Sequence, residues 1–287
     1  MSQYGIPYQG SKAKICDQVC AIFPKAENFY DLFGGGFSVT HCMLEKRKKD
    51  FKYFHFNEIR QGVCGLIKGA IAGEYNYNKY LPPWVSREEF FAKKEVDSMI
   101  KIIWSFGNDG KTYLFGKDIE QDKRSMHMAV VFNEFDDYAK KVFGMEKFRD
   151  GLSIIDKRLF LKSRIRLLNM KRLDLQQLQQ LEQLNFYNGS YESVEIRKDS
   201  VIYCDIPYIG TAKYDNNNSF NHKKFFDWAS EQDNPLFVSE YDVADKRFRL
   251  VKTIKKRSLF SSNKAMNEKT EKIYANKIAF EMLMSKK

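Results

Sequence analysis

The apolar run VIYCD at residues 201–205 restricts the fold more than any other stretch of the chain. Its β-branched and aromatic residues suit a central strand. Pro207 has no backbone N–H to donate to a neighbouring strand, so the strand must end before it. The sequence therefore predicts a buried central strand that presents Asp205 and the residues after it at its carboxyl end.

Strand and helix patterns alternate on both sides of a middle segment. Residues 28–49 have the pattern of a strand, a glycine turn and a helix, and residues 51–58 that of another strand. A helical pattern in HKKFFDWAS and a strand pattern in PLFVSE follow residue 201. This alternation predicts an α/β fold with one doubly wound sheet, helices on both faces, and ligands outside the carboxyl ends of the strands.

The middle segment has a different pattern. The sequence LPPW breaks structure, and SREE from Ser86 is a helix capping box followed by apolar residues at helical spacing. An N-D-G turn between aromatic residues indicates a hairpin near residues 106–116. We therefore predict an α/β domain formed by residues 1–80 and 169–287, with an inserted, mostly helical subdomain at residues 81–168.

Leucines spaced three residues apart follow the predicted insertion, at positions 175, 178, 181 and 184. Neither an α-helix nor a strand buries that spacing cleanly over a long run. We assign this segment no chemistry.

Charge and cysteine content narrow the class of partner and the compartment. Lysine and arginine number 48 against 37 acids, and the net charge of +11 favours a polyanionic partner such as nucleic acid, although a lysine-rich solvated surface gives the same count. The five cysteines form no C-x-x-C pair and have no histidine at ligand spacing, which favours structural thiols in a reducing compartment. The N-terminus lacks a signal-peptide pattern, and no stretch approaches the roughly 18 apolar residues of a membrane span, so we expect a cytoplasmic protein.

A glycine turn, DLFGGGF at residues 31–37, follows the first predicted strand of the α/β pattern. Consecutive glycines let the backbone approach a ligand closely at a helix N-terminus. The turn lacks the spacing of a dinucleotide or phosphate loop, and taken alone it is equally well a structural turn. Glu58, at the end of the next strand, is placed to accept hydrogen bonds from ribose hydroxyls. Together these features predict an adenosine-containing cofactor.

Two further motifs surround these strands. YQGSK at residues 8–12 is a glycine turn with one lysine before the first helix, and it has an alternative interpretation as ordinary helix capping. In Asp205-Ile206-Pro207-Tyr208, a carboxylate and the adjacent backbone carbonyl are two acceptors that can converge on one amino group, beside an aromatic face for a planar base. The alternative is a capping carboxylate followed by a packing tyrosine.

The three motifs resemble those of one enzyme family. YCDIPY is similar to the D-P-P-Y motif of DNA adenine methyltransferases, DLFGGGF to their cofactor loop, and YQGSK to their N-terminal motif, all in that family's order. The chain thus resembles the Dam class, most closely the phage-type members. Ile206 stands where the family usually has proline, but in the family mechanism its carbonyl is the acceptor, and Pro207 keeps residue 206 extended.

The resemblance implies a Rossmann-like sheet that uses S-adenosylmethionine, a target-recognition role for residues 81–168, and methylation of an adenine flipped out of double-stranded DNA. It implies that the catalytic residues are Asp205, Ile206, Pro207 and Tyr208. The cofactor-binding residues that it implies are Tyr8, Gly10, Lys12, Asp31, Phe33, Gly34, Gly35, Gly36, Glu58 and Asp205. The cationic residues of the insertion that could contact DNA phosphates are Lys111, Lys117, Lys123 and Arg124.

The remaining expectations concern partners and alternatives. We expect a bacterial or phage-encoded monomer without a metal site, and the sequence leaves open whether a restriction endonuclease accompanies it. Because of Ile206, a non-catalytic DNA-binding or cofactor-sensing module on the same fold is an alternative. Methylation of RNA or of a protein amide is a third hypothesis, which Asp205 disfavours because the pattern would then call for asparagine.

Overall fold

The computed structural model describes residues 4–76, 80–159, 171–179, 182–208, 220–257 and 268–285. The chain divides into two compact units. The first unit consists of Met1–Tyr4, Lys12–Arg60 and Leu181–Lys287, and the second of Gly5–Ser11 and Gln61–Gln180. The predicted boundary after residue 80 falls within the second unit, and the one after residue 168 lies outside the described residues.

The α-helices that the structure describes are short. In chain order they are α1 Cys16–Cys20, α2 Ser38–Lys46, α3 Val63–Ala72, α4 Arg87–Lys93, α5 Ser98–Ile103, α6 Glu120–Phe132, α7 Asp137–Phe143, α8 Ile154–Leu159, α9 His222–Ser230 and α10 Lys277–Met284. Within the described ranges, no helix combines the length and the apolar character needed to cross a membrane.

The first unit is built on one seven-stranded sheet with the order β3-β2-β1-β4-β5-β7-β6. Its strands are β1 Asn28–Asp31, β2 Tyr53–Asn57, β3 Leu184–Tyr187, β4 Ser200–Asp205, β5 Leu236–Glu240, β6 Arg249–Arg257 and β7 Glu268–Ala275. The first five strands in this order pair in parallel, and β7 is antiparallel to both of its neighbours. The predicted α/β sheet is confirmed.

Apolar packing on both faces explains why the central strands are continuously hydrophobic. On one face, Tyr30, Ile202 and Leu236 belong to a buried cluster that includes Phe225 of α9. On the other face, the Phe23 ring, which follows α1, packs against the rings of Phe29, Tyr203 and Phe237. A strand covered on both faces has no polar side to show in its sequence.

The second unit is mostly helical among its described residues. Ser86 caps α4, as its sequence predicts, and its hydroxyl accepts a hydrogen bond from the Glu89 N–H at 3.1 Å. In the predicted hairpin, Ser105 and Tyr113 form an isolated antiparallel bridge, and the turn between them includes a 3₁₀ turn at Phe106–Asn108. The chain thus reverses at the N-D-G turn with one bridge instead of an extended pair of strands.

Of the evenly spaced leucines, Leu175 lies between two 3₁₀ turns and Leu178 ends the second of them. These turns are Lys171–Leu173 and Gln176–Leu178, and both Leu175 and Leu178 are buried. A 3₁₀ helix has three residues per turn, so side chains three apart line up on one face. Leu181 lies outside the described residues, and Leu184 opens β3.

The glycine turn after β1 packs tightly against β2. A Cβ atom placed on Gly34 would lie 2.1 Å from Cε2 of the fully buried Phe56 ring. Gly35 has φ +51°, in the left-handed region that favours glycine. Two of the consecutive glycines are therefore required by packing and by backbone conformation.

Gly34→Ala is expected to lower the free energy of unfolding by about 1 to 3 kcal/mol, because the buried Phe56 ring cannot move aside without strain. Denaturant unfolding monitored by circular dichroism measures this change. Gly65→Ala is the matched control, since that residue lies on the exposed side of α3 with no heavy atom within 4 Å of the added carbon. The control should gain about 0.5 to 1 kcal/mol. A Gly34→Ala protein as stable as the parent would show that the turn is not packed as described.

Candidate active site

The candidate site lies in the first unit, where three parallel strands end side by side. Asp31, the last residue of β1, is in register with Phe56 of β2 and Tyr203 of β4. Successive strands extend from β1 in one direction and from β4 in the other, so the strand order reverses between them. In doubly wound sheets, a crevice for ligands forms outside the carboxyl ends of the strands at such a reversal.

The Glu58 carboxylate braces the glycine turn. Its Oε2 accepts a hydrogen bond from the Gly35 N–H at 2.8 Å, and its Oε1 accepts one from the Arg60 N–H at 2.9 Å. The Gly34 N–H donates to the Asn57 carbonyl at 2.9 Å. Burial raises the pKa of Glu58, and the backbone hydrogen bonds work in the opposite direction. Each carboxylate oxygen keeps a second lone pair for another donor.

Asp31 is a buried carboxylate with one oxygen unsatisfied. The Thr40 hydroxyl donates a hydrogen bond to Asp31 Oδ2 at 2.7 Å. Asp31 Oδ1 is buried and finds no hydrogen-bond donor among the residues that the structure describes. Burial raises the pKa of Asp31 to about 7, with the charges of Asp205 and Glu58 adding to the rise and Thr40 opposing it. A cationic donor beside Oδ1 would satisfy this group.

The Lys12 ammonium is held between two carboxylates. Its Nζ lies 2.7 Å from Asp205 Oδ1 and 3.5 Å from Glu271 Oε1. The Lys12 side chain is buried, whereas that of Asp205 keeps 20% of its surface exposed, so Asp205 can still be reached by a ligand. Burial raises the pKa of Asp205, and the Lys12 charge partly offsets this.

The residues after β4 are held from several sides. The Ile206 side chain is buried in the apolar cluster of the sheet. The Pro207 carbonyl accepts a hydrogen bond from His222 Nε2 at 2.8 Å, which requires that nitrogen to carry a proton. The Tyr208 hydroxyl donates to Glu271 Oε1, and Lys12 Nζ lies 4.9 Å from the centre of the Tyr208 ring. The ring also meets Tyr241 edge to face, with 4.5 Å between their centres.

Many of the predicted site residues share this region of the first unit. Lys12 contacts Asp205 and Tyr208, Gly35, which follows Gly34, contacts Glu58, and the charges of Asp205 and Glu58 act on Asp31. Phe33 packs against an apolar cluster, with its ring stacked on Tyr191 at 5.3 Å. Tyr8 and Gly10 belong to the second unit, so their cofactor role stays a prediction.

The cationic residues predicted to contact DNA also belong to the second unit. Lys111, Lys117 and Arg124 are exposed, and Lys123 is half-buried. Lys123 and Arg124 are consecutive residues of α6. Their role likewise stays a prediction.

Two residues of this region were not predicted from the sequence. Glu271 is 3% exposed and reaches the site from β7. The pattern that could have indicated it is an acid on the same face of a strand as Ile273 and Ala275, which are both buried. Ile59 follows Glu58, and 65% of its surface is exposed.

The comparisons with known proteins agree with this geometry. The family model of the D12 class N6 adenine-specific DNA methyltransferases matches residues 8–281, nearly the whole chain. A search of curated proteins returned no match. The match covers both compact units and all three motifs. The chain therefore belongs to the D12 class of N6 adenine-specific DNA methyltransferases and is an enzyme that methylates adenine in DNA.

Proposed function

We propose that the chain transfers a methyl group from S-adenosylmethionine to the exocyclic amino group of an adenine flipped out of duplex DNA. The observation that carries this proposal is the partly exposed Asp205 carboxylate at the end of β4, held by Lys12 and followed by the Ile206 carbonyl. An amino group between these two oxygens would donate one hydrogen bond to each. Family membership supports adenine as the base that supplies this group.

The residues at the ends of β1 and β2 fit the proposed cofactor. The unsatisfied Asp31 Oδ1 suits the ammonium of its amino-acid part, and the second lone pairs of Glu58 suit ribose hydroxyls. The exposed Ile59 offers an apolar surface for the adenine ring. The tight glycine turn of Gly34, Gly35 and Gly36 lets the backbone approach the ligand, and Phe33, Tyr8 and Gly10 complete the proposed set. When bound, the cofactor would supply an already activated methyl group and leave as a neutral thioether, and the methylated nitrogen would release one proton.

Asp205 and Ile206 stabilise the charge that develops on the attacking nitrogen. The amino group of adenine is a poor nucleophile because its lone pair is delocalised into the ring. Hydrogen bonds to the Asp205 carboxylate and the Ile206 carbonyl favour the pyramidal nitrogen and its growing positive charge. Because these acceptors are fixed by Lys12 and by burial of the Ile206 side chain, little reorganisation is needed during the reaction.

A base inside a duplex cannot reach the end of β4, so the adenine must leave the stack at a cost of a few kcal/mol. Stacking on the Tyr208 ring, worth about 1 to 3 kcal/mol, would offset this cost. The exposed cations of the second unit would hold phosphates and position the duplex without reading its sequence. A non-catalytic module on the same fold is not favoured, because the matched family is one of enzymes.

Asp205→Ala is expected to lower methyl transfer by about 100-fold or more, since a preorganised partner for the developing charge is removed. Transfer of tritium from labelled cofactor to adenine in mixed-sequence DNA measures this rate. Asp242→Asn is the control, because it removes an exposed carboxylate that pairs with Lys272 at 3.1 Å. Near-normal turnover by Asp205→Ala would refute the role of Asp205, and a parent protein that never labels adenine would refute the proposed function.

Cofactor binding should weaken as the pH falls through about 7. Asp31 has a pKa of about 7 in the free protein, and only its ionised form attracts the ammonium. The affinity should therefore fall about fivefold between pH 7 and pH 6, as calorimetric titration with S-adenosylmethionine can measure. Asp31→Asn should bind weakly and show no such change over this range. An equal pH dependence in both proteins would exclude Asp31 as the titrating group.

Lys123→Gln combined with Arg124→Gln is expected to weaken DNA binding by a similar factor for all sequences. It should also reduce the slope of log affinity against log salt concentration by about 2, because each phosphate that a cation neutralises adds about 0.9 to that slope. Fluorescence anisotropy with labelled duplexes at several salt concentrations measures both effects. Lys277→Gln is the control, since that lysine is 84% exposed and lies on α10 of the first unit. An unchanged slope in the double variant would remove these two residues from the DNA interface.

A further inference from the structure

Glu271 is a buried carboxylate at the candidate site that belongs to none of the three motifs. It lies on β7, and the strand register places it near the ends of β4 and β5. Asp205 is in register with Ser239 of β5, which is in register with Ile273 of β7. Side chains two residues apart on a strand share a face, so Glu271 lies on the same face as Ile273. The antiparallel β7 thus brings Glu271 to the edge of the sheet where β4 and β5 end.

Two contacts join Glu271 to the proposed target-base site. Its Oε1 accepts the hydrogen bond from the Tyr208 hydroxyl, and the same oxygen lies 3.5 Å from Lys12 Nζ. We call Lys12, Asp205, Tyr208 and Glu271 the Lys12 cluster. Glu271 is the member that contacts both the cation bound to Asp205 and the ring proposed to stack on the base.

The charges of the Lys12 cluster indicate why a second carboxylate is useful. Lys12 with Asp205 alone would be a neutral pair, and its ammonium would lie close to a nitrogen that becomes positive during attack. With Glu271 ionised as well, the cluster carries a net charge of −1, which favours that developing charge. An ammonium has three N–H donors. Lys12 can therefore direct one N–H towards Glu271 Oε1 and a different N–H towards Asp205 Oδ1.

We propose that Glu271 is a positioning residue for methyl transfer, which fixes the Tyr208 ring and acts as the second counter-ion of Lys12 so that Asp205 stays available to the target amine. This inference rests on the proposed function. Glu271 acts through Tyr208 and Lys12 and has no contact with the reacting atoms in the mechanism. Its effect should therefore appear in the rate of transfer and depend on Tyr208.

Glu271→Gln tests the proposal, because it keeps the size of the side chain and removes its charge. The expected result is a fall in kcat of about 10- to 100-fold, with KM for the cofactor within about threefold of the parent value. Glu271→Asp, which keeps the charge, should recover part of the loss. The exposed Glu281→Gln on α10 controls for loss of one negative charge, and its kcat should not change. Thermal unfolding of each variant reports whether it is folded at the assay temperature.

A double-mutant cycle with Tyr208→Phe provides a readout that a purely structural role would not change. If Glu271 acts partly through the Tyr208 hydroxyl, the double variant should lose less than the product of the two single losses. Tyr208→Phe removes the same hydrogen bond without introducing a polar group. It therefore tests the role of Glu271 even if Glu271→Gln does not fold. Tyr208→Phe should then reduce kcat at unchanged cofactor KM.

The contrary outcomes are distinct. A kcat for Glu271→Gln within twofold of the parent, or strictly multiplicative losses in the cycle, would overturn the positioning role alone while the parent enzyme labels adenine. If Glu271→Gln does not fold, a Tyr208→Phe enzyme with the parent kcat would overturn the positioning role of Glu271. A parent protein that labels no adenine would overturn the proposed function, and this inference with it.

Discussion

The buried ammonium of Lys12 is the constraint on which the arrangement of the site depends. A charge removed from water is costly unless a partner of opposite sign lies close, and Asp205 Oδ1 at 2.7 Å provides that partner. Lys12 precedes α1, Asp205 ends β4 and Glu271 lies on β7, so the ion pairs fix three separate segments at one place. Because desolvation cancels much of the Coulomb gain, buried ion pairs are a poor source of net stability. The Lys12–Asp205 pair is better explained by its effect on position, because it holds the hydrogen-bond acceptors at the end of the central strand.

Replacement of proline by Ile206 is compatible with this placement because the two parts of the residue have different tasks. Its side chain is buried with Leu32 and Phe225, where an aliphatic group packs well. The chemistry that we propose uses only its backbone carbonyl. Pro207 still restricts residue 206 to extended conformations, and the proton on His222 Nε2 fixes the Pro207 carbonyl. These neighbours therefore hold the segment after β4, and the proposed chemistry does not require proline at position 206.

The sequence was sufficient where a structural role leaves a local pattern. The buried strands β1 and β4 and the glycine turn could be predicted, since parallel strands are continuously apolar and tight turns need glycine. Glu271 leaves only the weak pattern of an acid on the apolar face of a strand, and its place at the site depends on an antiparallel register with β5 that joins distant parts of the chain. The leucine spacing also gave no prediction, because the described leucines do not share one element: Leu178 ends a 3₁₀ turn that Leu175 precedes, and Leu184 opens β3.

Asp31 illustrates how such a site opposes the stability of its own fold. Its pKa is raised from 3.8 to about 7, so between these values the folded protein binds more protons than the unfolded chain. The contribution of Asp31 to stability therefore decreases as the pH rises through that window and is least favourable above it. A bound cation beside Oδ1 would favour the ionised form and offset this loss. Ligand binding and folding stability are then coupled through one carboxylate. The coupling is strongest above about pH 7, where Asp31 contributes least to the stability of the free protein.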